Sequence, residues 1–243
     1  MLLKACLNGA RLPAEHPALP VTPDELAAEA VRVVAAGAGA IHLHPKDEAG
    51  SDSLGPEAVA AALTAVRAVA GGTPQGVTTG AWSIPDPDER VQAIRAWTVL
   101  PDFASVNWHE PGAEQVAGAL VSLGVGIEAG LWHGESVADW LTSPYRDRCL
   151  RALIELPDGL DGTETVARAE LLLAQVRTAD VQLPVLLHGE GSSCWPALRH
   201  AGRQGLDARI GLEDVLHLPD GSLAPDNAAL VRAARSLLSR TSG

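Results

Sequence analysis

The sequence lacks the features of membrane proteins and of nucleic-acid-binding proteins. No apolar run approaches the roughly 18 residues that a membrane-spanning helix needs, and the N-terminus has no basic segment followed by a hydrophobic stretch. Basic residues are also few, since 18 Lys and Arg stand against 30 Asp and Glu and give a formal net charge of -12 at pH 7. We therefore expect neither a membrane partner nor a nucleic-acid partner.

Cysteine is scarce as well. The three cysteines, Cys6, Cys149 and Cys194, are odd in number and far apart, which disfavours a disulfide framework and indicates a reducing compartment. We expect a cytoplasmic protein.

The sequence does contain a repeated alternation of short apolar runs with amphipathic stretches of helical period, which is typical of βα units around a parallel sheet. Eight strands are predicted, at residues 2–7, 40–44, 76–79, 103–108, 125–131, 150–156, 184–188 and 208–212. Eight such units predict a (β/α)8 TIM barrel. An open, doubly wound sheet is disfavoured because the sequence has no Gly-x-Gly-x-x-Gly after the first strand and no P-loop. Since no low-complexity linker divides the chain, we expect one barrel domain over residues 1–243.

The first and last helices have the clearest signals. Thr22-Pro23-Asp24-Glu25 supplies an N-cap, a proline at the first helical position and a capping-box glutamate, and Gly37 follows the apolar stripe as a stop signal. The last helix is predicted from about Pro225 to Ser239, where leucines and alanines fall on one stripe.

Two histidines stand one residue apart at the end of the second predicted strand, in Ile41-His42-Leu43-His44-Pro45. Side chains alternate along a strand, so His42 and His44 point to the same face with Cα atoms roughly 6.5 to 7 Å apart. One metal ion can bridge that distance, and imidazole is a preferred ligand of Zn²⁺. A structural, hydrogen-bonded histidine pair is the alternative.

The last predicted strand offers a third ligand and a base. In Arg209-Ile210-Gly211-Leu212-Glu213-Asp214, the residues Arg209, Gly211 and Glu213 share one face, and the small Gly211 leaves room for the other two to reach a shared centre. Glu213 is then the candidate third metal ligand, and Asp214 beside Arg209 is suited to act as a general base. A surface loop with a salt bridge is the other interpretation.

The remaining strand ends carry more ionisable and amide groups than a barrel core needs, and active sites of such barrels lie at this face. For Asn8, Glu155 and His188 we expect structural or supporting roles. The other polar residues at strand ends are Thr78, Thr79, Asn107, His109, Glu128 and Glu190.

These residues together resemble the β-keto acid cleavage enzyme family, whose founding activity is 3-keto-5-aminohexanoate cleavage. The resemblance covers nearly the whole chain and is carried by Asn8-Gly9-Ala10, Pro17 to Pro23, Ala40 to Asp47, Thr78-Thr79-Gly80 and Arg209 to Asp214. It implies Zn²⁺ bound by His42, His44 and Glu213, with Arg209 and Asp214 as the catalytic pair.

The resemblance also implies a reaction and its partners. A β-keto acid would condense with acetyl-CoA and yield acetoacetate plus a new acyl-CoA, in a homo-oligomer (dimer or tetramer). Zn²⁺ would chelate the keto and carboxylate oxygens, so that Asp214 could take the proton from the carbon between them. The expected substrate contacts are Thr78, Thr79, Asn107, Arg11 and Glu128.

Two departures from the family pattern bear on the substrate. Arg11 stands where the aminohexanoate-cleaving members have an acidic residue, which disfavours a cationic substrate and predicts a neutral or anionic tail. The segment from His188 to Trp195 differs from the usual ending of strand seven, and its glycines and serines before a helix are suited to hold a phosphate, for example of CoA, although Glu190 would oppose it.

Two other functions stay open at this point. The same metal could serve an aldolase or hydrolase of a keto acid that needs no CoA. A catalytically silent barrel that binds a metal or a small acid is the third possibility, which the retained grouping of Arg209, Glu213 and Asp214 disfavours.

Overall fold

The structure is a computed structural model that describes residues 1–178 and 183–240. Within that part of the chain, eight parallel strands alternate with eight α-helices, as the sequence predicts. The strands are β1 (Leu3–Cys6), β2 (Ala40–Leu43), β3 (Gln75–Thr78), β4 (Phe103–Asn107), β5 (Gly126–Leu131), β6 (Cys149–Leu156), β7 (Val185–Gly189) and β8 (Asp207–Ile210). The helices are α1 (Pro23–Ala36), α2 (Pro56–Ala70), α3 (Pro87–Arg95), α4 (Ala113–Leu123), α5 (Gly134–Thr142), α6 (Gly162–Val176), α7 (Cys194–Gln204) and α8 (Asn227–Arg240).

The sheet is closed. Each strand pairs in parallel with the next one along the chain, and β8 pairs with β1 through Lys4 and Arg209. The predicted (β/α)8 TIM barrel is therefore confirmed. None of the helices in the described residues is long and apolar enough to cross a membrane.

Helix α1 begins as the sequence predicts. The Thr22 hydroxyl accepts a hydrogen bond from the Glu25 amide, and the Glu25 carboxylate accepts from the amides of Thr22 and Val21, each at 2.9 Å. The helix ends at Gly37, whose φ of 101° lies in the left-handed region that favours glycine.

Alternate strand residues face the helices and form the main hydrophobic core, while the residues between them face the barrel axis. The lower part of that axis holds charged side chains in ion pairs, which we call the barrel-floor network: Lys4, Glu128, Arg151 and Asp207. The two fully buried members, Lys4 and Glu128, thus compensate each other's charge, and the network lies between the site above and the N-terminal end of the barrel.

Two glycines position the end of β8 against β1. A Cβ at Gly211 would overlap the carbonyl oxygen of Cys6, so only glycine lets these backbones approach so closely. Gly9, at φ +59°, packs in the same way against the side chain of Glu213. Gly211 thus admits the neighbouring strand, and does not chiefly make room above the axis as the sequence pattern predicts.

Candidate active site and metal centre

A cavity of about 440 Å³ opens at the carboxyl ends of the strands. Its wall includes seven polar residues from the ends of five strands: His42, His44, Thr78, Asn107, Glu155, Arg209 and Glu213. This is the face at which (β/α)8 barrels carry their active sites.

Three side chains on this wall form a cluster that can hold a metal ion. The Nε2 atoms of His42 and His44 lie 3.8 Å and 3.7 Å from Oε2 of Glu213, and the possible ligand atoms lie within 4.8 Å of one another. These separations are too long for hydrogen bonds, and Oε2 of Glu213 is buried without a hydrogen-bond partner in the part of the chain that the structure describes. Two imidazoles and a carboxylate around a partnerless oxygen suit a divalent cation with one coordination position left open.

The protonation of His42 suits a ligand. Burial, together with the neighbouring His44, holds the pKa of His42 well below its usual range, so the imidazole is neutral near pH 7. Neutral imidazole is the form that binds a metal.

His44 is oriented from behind by a carboxylate. Its Nδ1 lies 2.7 Å from Oδ2 of Asp52, in the loop between β2 and α2, and the ring stacks on the Trp82 indole at 5.9 Å between centroids. Asp52 also accepts hydrogen bonds from Lys46 and from Nε1 of Trp82. Burial opposes ionisation of Asp52, but these donors outweigh it and lower its pKa to about 2. An ionised carboxylate that holds a ligating histidine fixes its tautomer and strengthens it as a ligand.

Asn8, at the end of β1, fixes the backbone of the same histidine. Its side chain accepts from the His44 amide and donates to the His44 carbonyl, both at 2.9 Å, and it also donates to the carbonyl of Pro20. The structural role expected for Asn8 agrees with these contacts.

Arg209 links the metal cluster to Asp214. Its guanidinium donates to Oδ1 of Asp214 at 2.7 and 3.0 Å and to Oε1 of Glu213 at 2.8 Å. Burial opposes the charge of Arg209, yet the carboxylates around it, Asp214 first, raise its pKa well above the usual value. Asp214 is fully buried and is not part of the cavity wall, and its Oδ2 has no hydrogen-bond partner among the described residues.

A carboxylate–imidazole pair lies beside this group. Nε2 of His188 is 2.9 Å from Oε2 of Glu155, and its Nδ1 is 3.4 Å from Oδ1 of Asp214. Burial and Arg209 act to lower the pKa of His188, but the two carboxylates outweigh them and raise it. The pKa of Glu155 is lowered, because His188 overcomes the effect of burial.

Three of the five predicted substrate contacts lie on the cavity wall: Thr78, Asn107 and Arg11. The Thr78 hydroxyl accepts from the amide of Gly80 and donates to no acceptor among residues 1–178 and 183–240. The Asn107 side chain donates to Glu110 and accepts from the Trp132 indole, which holds it in place.

The other two do not face the cavity. The Thr79 hydroxyl donates to the carbonyl of Ser105 at 2.7 Å, which ties β3 to β4. Glu128 is fully buried in the barrel-floor network, where it pairs with Lys4 and Arg151. The structure corrects the expectation of substrate contact at both residues, because the Thr79 hydroxyl is bonded to β4 and the Glu128 carboxylate is paired with Lys4 and Arg151 below the cavity.

The mouth of the cavity is acidic. Glu15, Asp158 and Glu190 lie on its wall with Arg11, whose Nη1 is 2.9 Å from Glu15 and whose Nε donates to the carbonyl of Leu212. Burial raises the pKa of Glu190, whereas hydrogen bonds from the amides of Ser192 and Gly159 lower that of Asp158. The positive charge of Arg11 is therefore already compensated by acidic side chains at the cavity mouth, Glu15 among them.

Sequence reasoning missed Asp52 and Trp82. Both lie in loops without periodicity, eight residues after His44 in one case and just after Gly80 in the other, and only the fold brings them to the same imidazole. The available signal for Asp52 was a carboxylate shortly after a strand-end histidine, since ligating histidines are commonly held by one.

The contacts of Asp52 lead to a testable prediction. We expect Asp52→Asn to weaken metal binding by about 10- to 100-fold, because the amide holds His44 less firmly and is a poorer acceptor. Competition of the purified protein with a zinc-chelating dye measures this. Trp82→Phe, which removes one hydrogen bond to Asp52 but keeps an aromatic ring on His44, should have a smaller effect; equal losses in the two variants would contradict the role given to Asp52.

Fold and site together define a class: a (β/α)8 barrel with a His-His-Glu cluster of metal-binding type where its strands end. A sequence model of the beta-keto acid cleavage enzyme family matches residues 1–126 and 154–242. The chain belongs to the β-keto acid cleavage enzyme family. The resemblance stated from the sequence is thus confirmed.

Solved structures support the same fold. The chain superposes on apo ObcA with a TM-score of 0.74 and 19% identity, over 92% of this chain and 62% of that one. For a ternary complex of ObcA with a C4-CoA adduct and oxalate the TM-score is 0.70, with 19% identity over 92% of this chain and 64% of that one. A type I 3-dehydroquinate dehydratase from Clostridium difficile gives a TM-score of 0.67 and 9% identity, over 98% and 91% of the two chains. The chain thus spans less than two thirds of the length of the ObcA chains.

Proposed function

We propose that this protein is a zinc-dependent β-keto acid cleavage enzyme that condenses a β-keto acid with acetyl-CoA and releases acetoacetate and a new acyl-CoA. The observation that carries the proposal is the placement of His42, His44 and Glu213 beside Arg209 in one cavity of a chain of this family. One of the ObcA structures contains oxaloacetate, which has a keto group β to a carboxylate, and another contains a C4-CoA adduct. Both ligands fit this chemistry.

Zinc is the metal we propose because two imidazoles and one carboxylate are a ligand set of catalytic zinc sites. When bound, it would supply a Lewis acid that polarises the keto group and makes the neighbouring carbon more acidic. The nearby side chains carry a net negative charge, which suits a divalent cation. The three carboxylates are Glu155, Glu213 and Asp214, and the two basic side chains are Arg209 and His188. A bound dication and a substrate carboxylate would leave this group close to neutral.

The residues of the chain would bind and orient the substrate. Nη1 of Arg209 makes no hydrogen bond within the described residues and is available to a substrate carboxylate or carbonyl oxygen, while Asp214 and Glu213 hold the rest of the guanidinium. The free proton of the Thr78 hydroxyl would go to a second substrate oxygen.

Proton removal from the carbon between the two carbonyl groups is assigned to Asp214, with Arg209 as its partner. The partnerless Oδ2 of Asp214 supports this assignment. Burial opposes ionisation of Asp214, but Arg209 and His188 outweigh it and lower its pKa, so the carboxylate is in the basic form near pH 7.

The acidic mouth bears on the substrate tail. Because Glu15, Asp158 and Glu190 outnumber Arg11 there, we propose a neutral tail and no longer an anionic one. The same observation favours a second candidate function, cleavage of a β-keto acid without CoA, since the phosphates of CoA would approach a surface of like charge.

A substrate panel separates these functions. We expect the zinc-loaded protein to release acetoacetate from β-keto acids with neutral tails only when acetyl-CoA is present. Mass spectrometry of acetoacetate and of the new CoA ester measures this. Cleavage at the same rate without acetyl-CoA would support the second candidate against the first. A preference for an amino-bearing keto acid would contradict the proposed neutral tail.

A further inference from the structure

Trp132 is a large apolar side chain on the cavity wall, and the proposed function gives it no contact with the substrate. A second indole on this wall, Trp82, stacks on the metal-cluster residue His44 and donates to Asp52. Trp132 directly follows β5, whereas the metal cluster lies at and just after the ends of β2 and β8. In the closed barrel β2 and β8 flank β1, and β5 is the strand opposite β1. Trp132 therefore lies across the cavity from the metal cluster.

We infer that Trp132 is a specificity-determining residue and that the substrate is a β-keto acid with an apolar alkyl tail, which lies against the indole ring. The inference rests on the proposed function and names the chemical class of the neutral tail. The carboxylate and keto oxygens of such a substrate belong at the metal cluster and Arg209, and the tail is attached on the far side of the keto carbon. The tail then extends from the metal cluster across the cavity, toward the end of β5.

The indole offers the substrate an apolar surface and no donor. Its Nε1 donates to Oδ1 of Asn107 at 3.2 Å, and the Asn107 side chain in turn donates to Oε1 of Glu110 at 2.9 Å. The N–H of Trp132 is thus already used within the protein. What remains for a substrate is the ring, where burial of an alkyl chain is favourable in proportion to the apolar area removed from water.

The indole is held in place without a substrate. Glu110, which fixes Asn107, accepts hydrogen bonds from Nη1 of Arg90 at 3.3 Å and from the amide of Ala81 at 2.9 Å. The His109 ring packs against the indole edge to face, with 5.9 Å between the ring centroids. Because a side chain that is already ordered loses little conformational entropy on binding, its contacts can separate one tail from another.

Selectivity against polar tails follows from desolvation. A tail that carries an oxygen gives up hydrogen bonds to water when it packs on the indole, and the N–H of Trp132 is not available to replace them. An alkyl tail of the same length has no such cost. We therefore expect the enzyme to separate two uncharged tails that differ only by one oxygen in place of one methylene.

Two substrates of equal length test the inference: 3-oxooctanoate, which has an alkyl tail, and 6-methoxy-3-oxohexanoate, in which an ether oxygen replaces one methylene of that tail. With the zinc-loaded enzyme and acetyl-CoA, we expect kcat/KM to be about 10- to 100-fold higher for 3-oxooctanoate. Trp132→Phe keeps an aromatic ring and should retain at least about half of this ratio. Trp132→Gln is polar and should lower the ratio to less than about twofold.

Trp82→Gln is the matched control, because it makes the same change at the second indole of the cavity wall. The Trp82 indole also donates one hydrogen bond to a side chain, but that side chain is Asp52 behind the metal ligand His44. We expect Trp82→Gln to lower kcat/KM for both substrates alike and to leave their ratio within about twofold of the wild-type ratio.

The outcomes are distinguishable. If the wild-type protein cleaves no β-keto acid, the proposed function fails and this inference fails with it. If it cleaves both test substrates with kcat/KM values within about twofold of each other, the inference alone is overturned, and this result needs no variant that folds. A wild-type preference that Trp132→Gln retains, or that Trp82→Gln loses to the same extent, would assign the selectivity to other residues and overturn the role of Trp132.

Discussion

Replacing His44 with alanine is expected to abolish stoichiometric zinc binding and to lower kcat/KM by at least about 10³-fold. The variant removes one of three ligand groups that meet around Oε2 of Glu213, and it also leaves Asp52 without its imidazole partner. Polarisation of a carbonyl by a metal is worth several kcal/mol, and each 1.4 kcal/mol or so corresponds to a factor of ten in rate. Metal analysis of the dialysed protein and steady-state kinetics measure the two effects.

The matched control is His217→Ala, since His217 is exposed and lies outside the candidate active site. We expect this variant to keep its zinc and its activity. A His44→Ala protein that retains one zinc ion per chain after dialysis would contradict the assignment of the metal site.

The second large effect is expected from Asp214→Asn. Loss of this charge removes the carboxylate that accepts two hydrogen bonds from Arg209 and lies 3.4 Å from His188, and it removes the base assigned from the sequence. We expect kcat to fall by about 10²- to 10⁴-fold, the range found for loss of a general acid–base group. The zinc content should stay unchanged, because Asp214 is not a ligand.

Asp147→Asn is the matched control for this variant. Asp147 accepts two hydrogen bonds from Arg146 in an exposed pair, where loss of the charge should cost little. Activity of Asp214→Asn close to that of the control would contradict a part for Asp214 in the reaction.

The barrel could be predicted from the sequence because its signals are local. Each strand is a short buried apolar run between turn residues, and α1 carries its own capping box and left-handed glycine. Closure follows from the number of βα units and needs no long-range contact to be identified.

The metal cluster could be proposed because strand parity gives the face on which a side chain lies. Parity does not give the depth of a side chain along the barrel axis. This is why substrate contact was wrongly predicted for Glu128. It occupies the third position of the six-residue strand β5 and reaches Lys4 in the barrel-floor network, whereas Gly130 stands at the height of the cavity on the same face. The sequence likewise gives the charge of Arg11 but not its partner Glu15.

The positions of loop residues could not be predicted from strand parity at all. The contact of Asp52 with His44 depends on the path of the loop after β2, which carries no periodic signal. The contact between Glu155 and His188 could not be predicted from either residue alone, because only the pairing of β6 with β7 places them opposite each other.

The most direct test of metal-dependent β-keto acid cleavage is titration of zinc into chelator-treated protein while acetoacetate release from a β-keto acid and acetyl-CoA is measured. We expect no cleavage by the metal-free protein and full recovery at one zinc ion per chain, with no recovery in His44→Ala. Undiminished cleavage by the metal-free protein, or recovery that does not depend on His44, would contradict it.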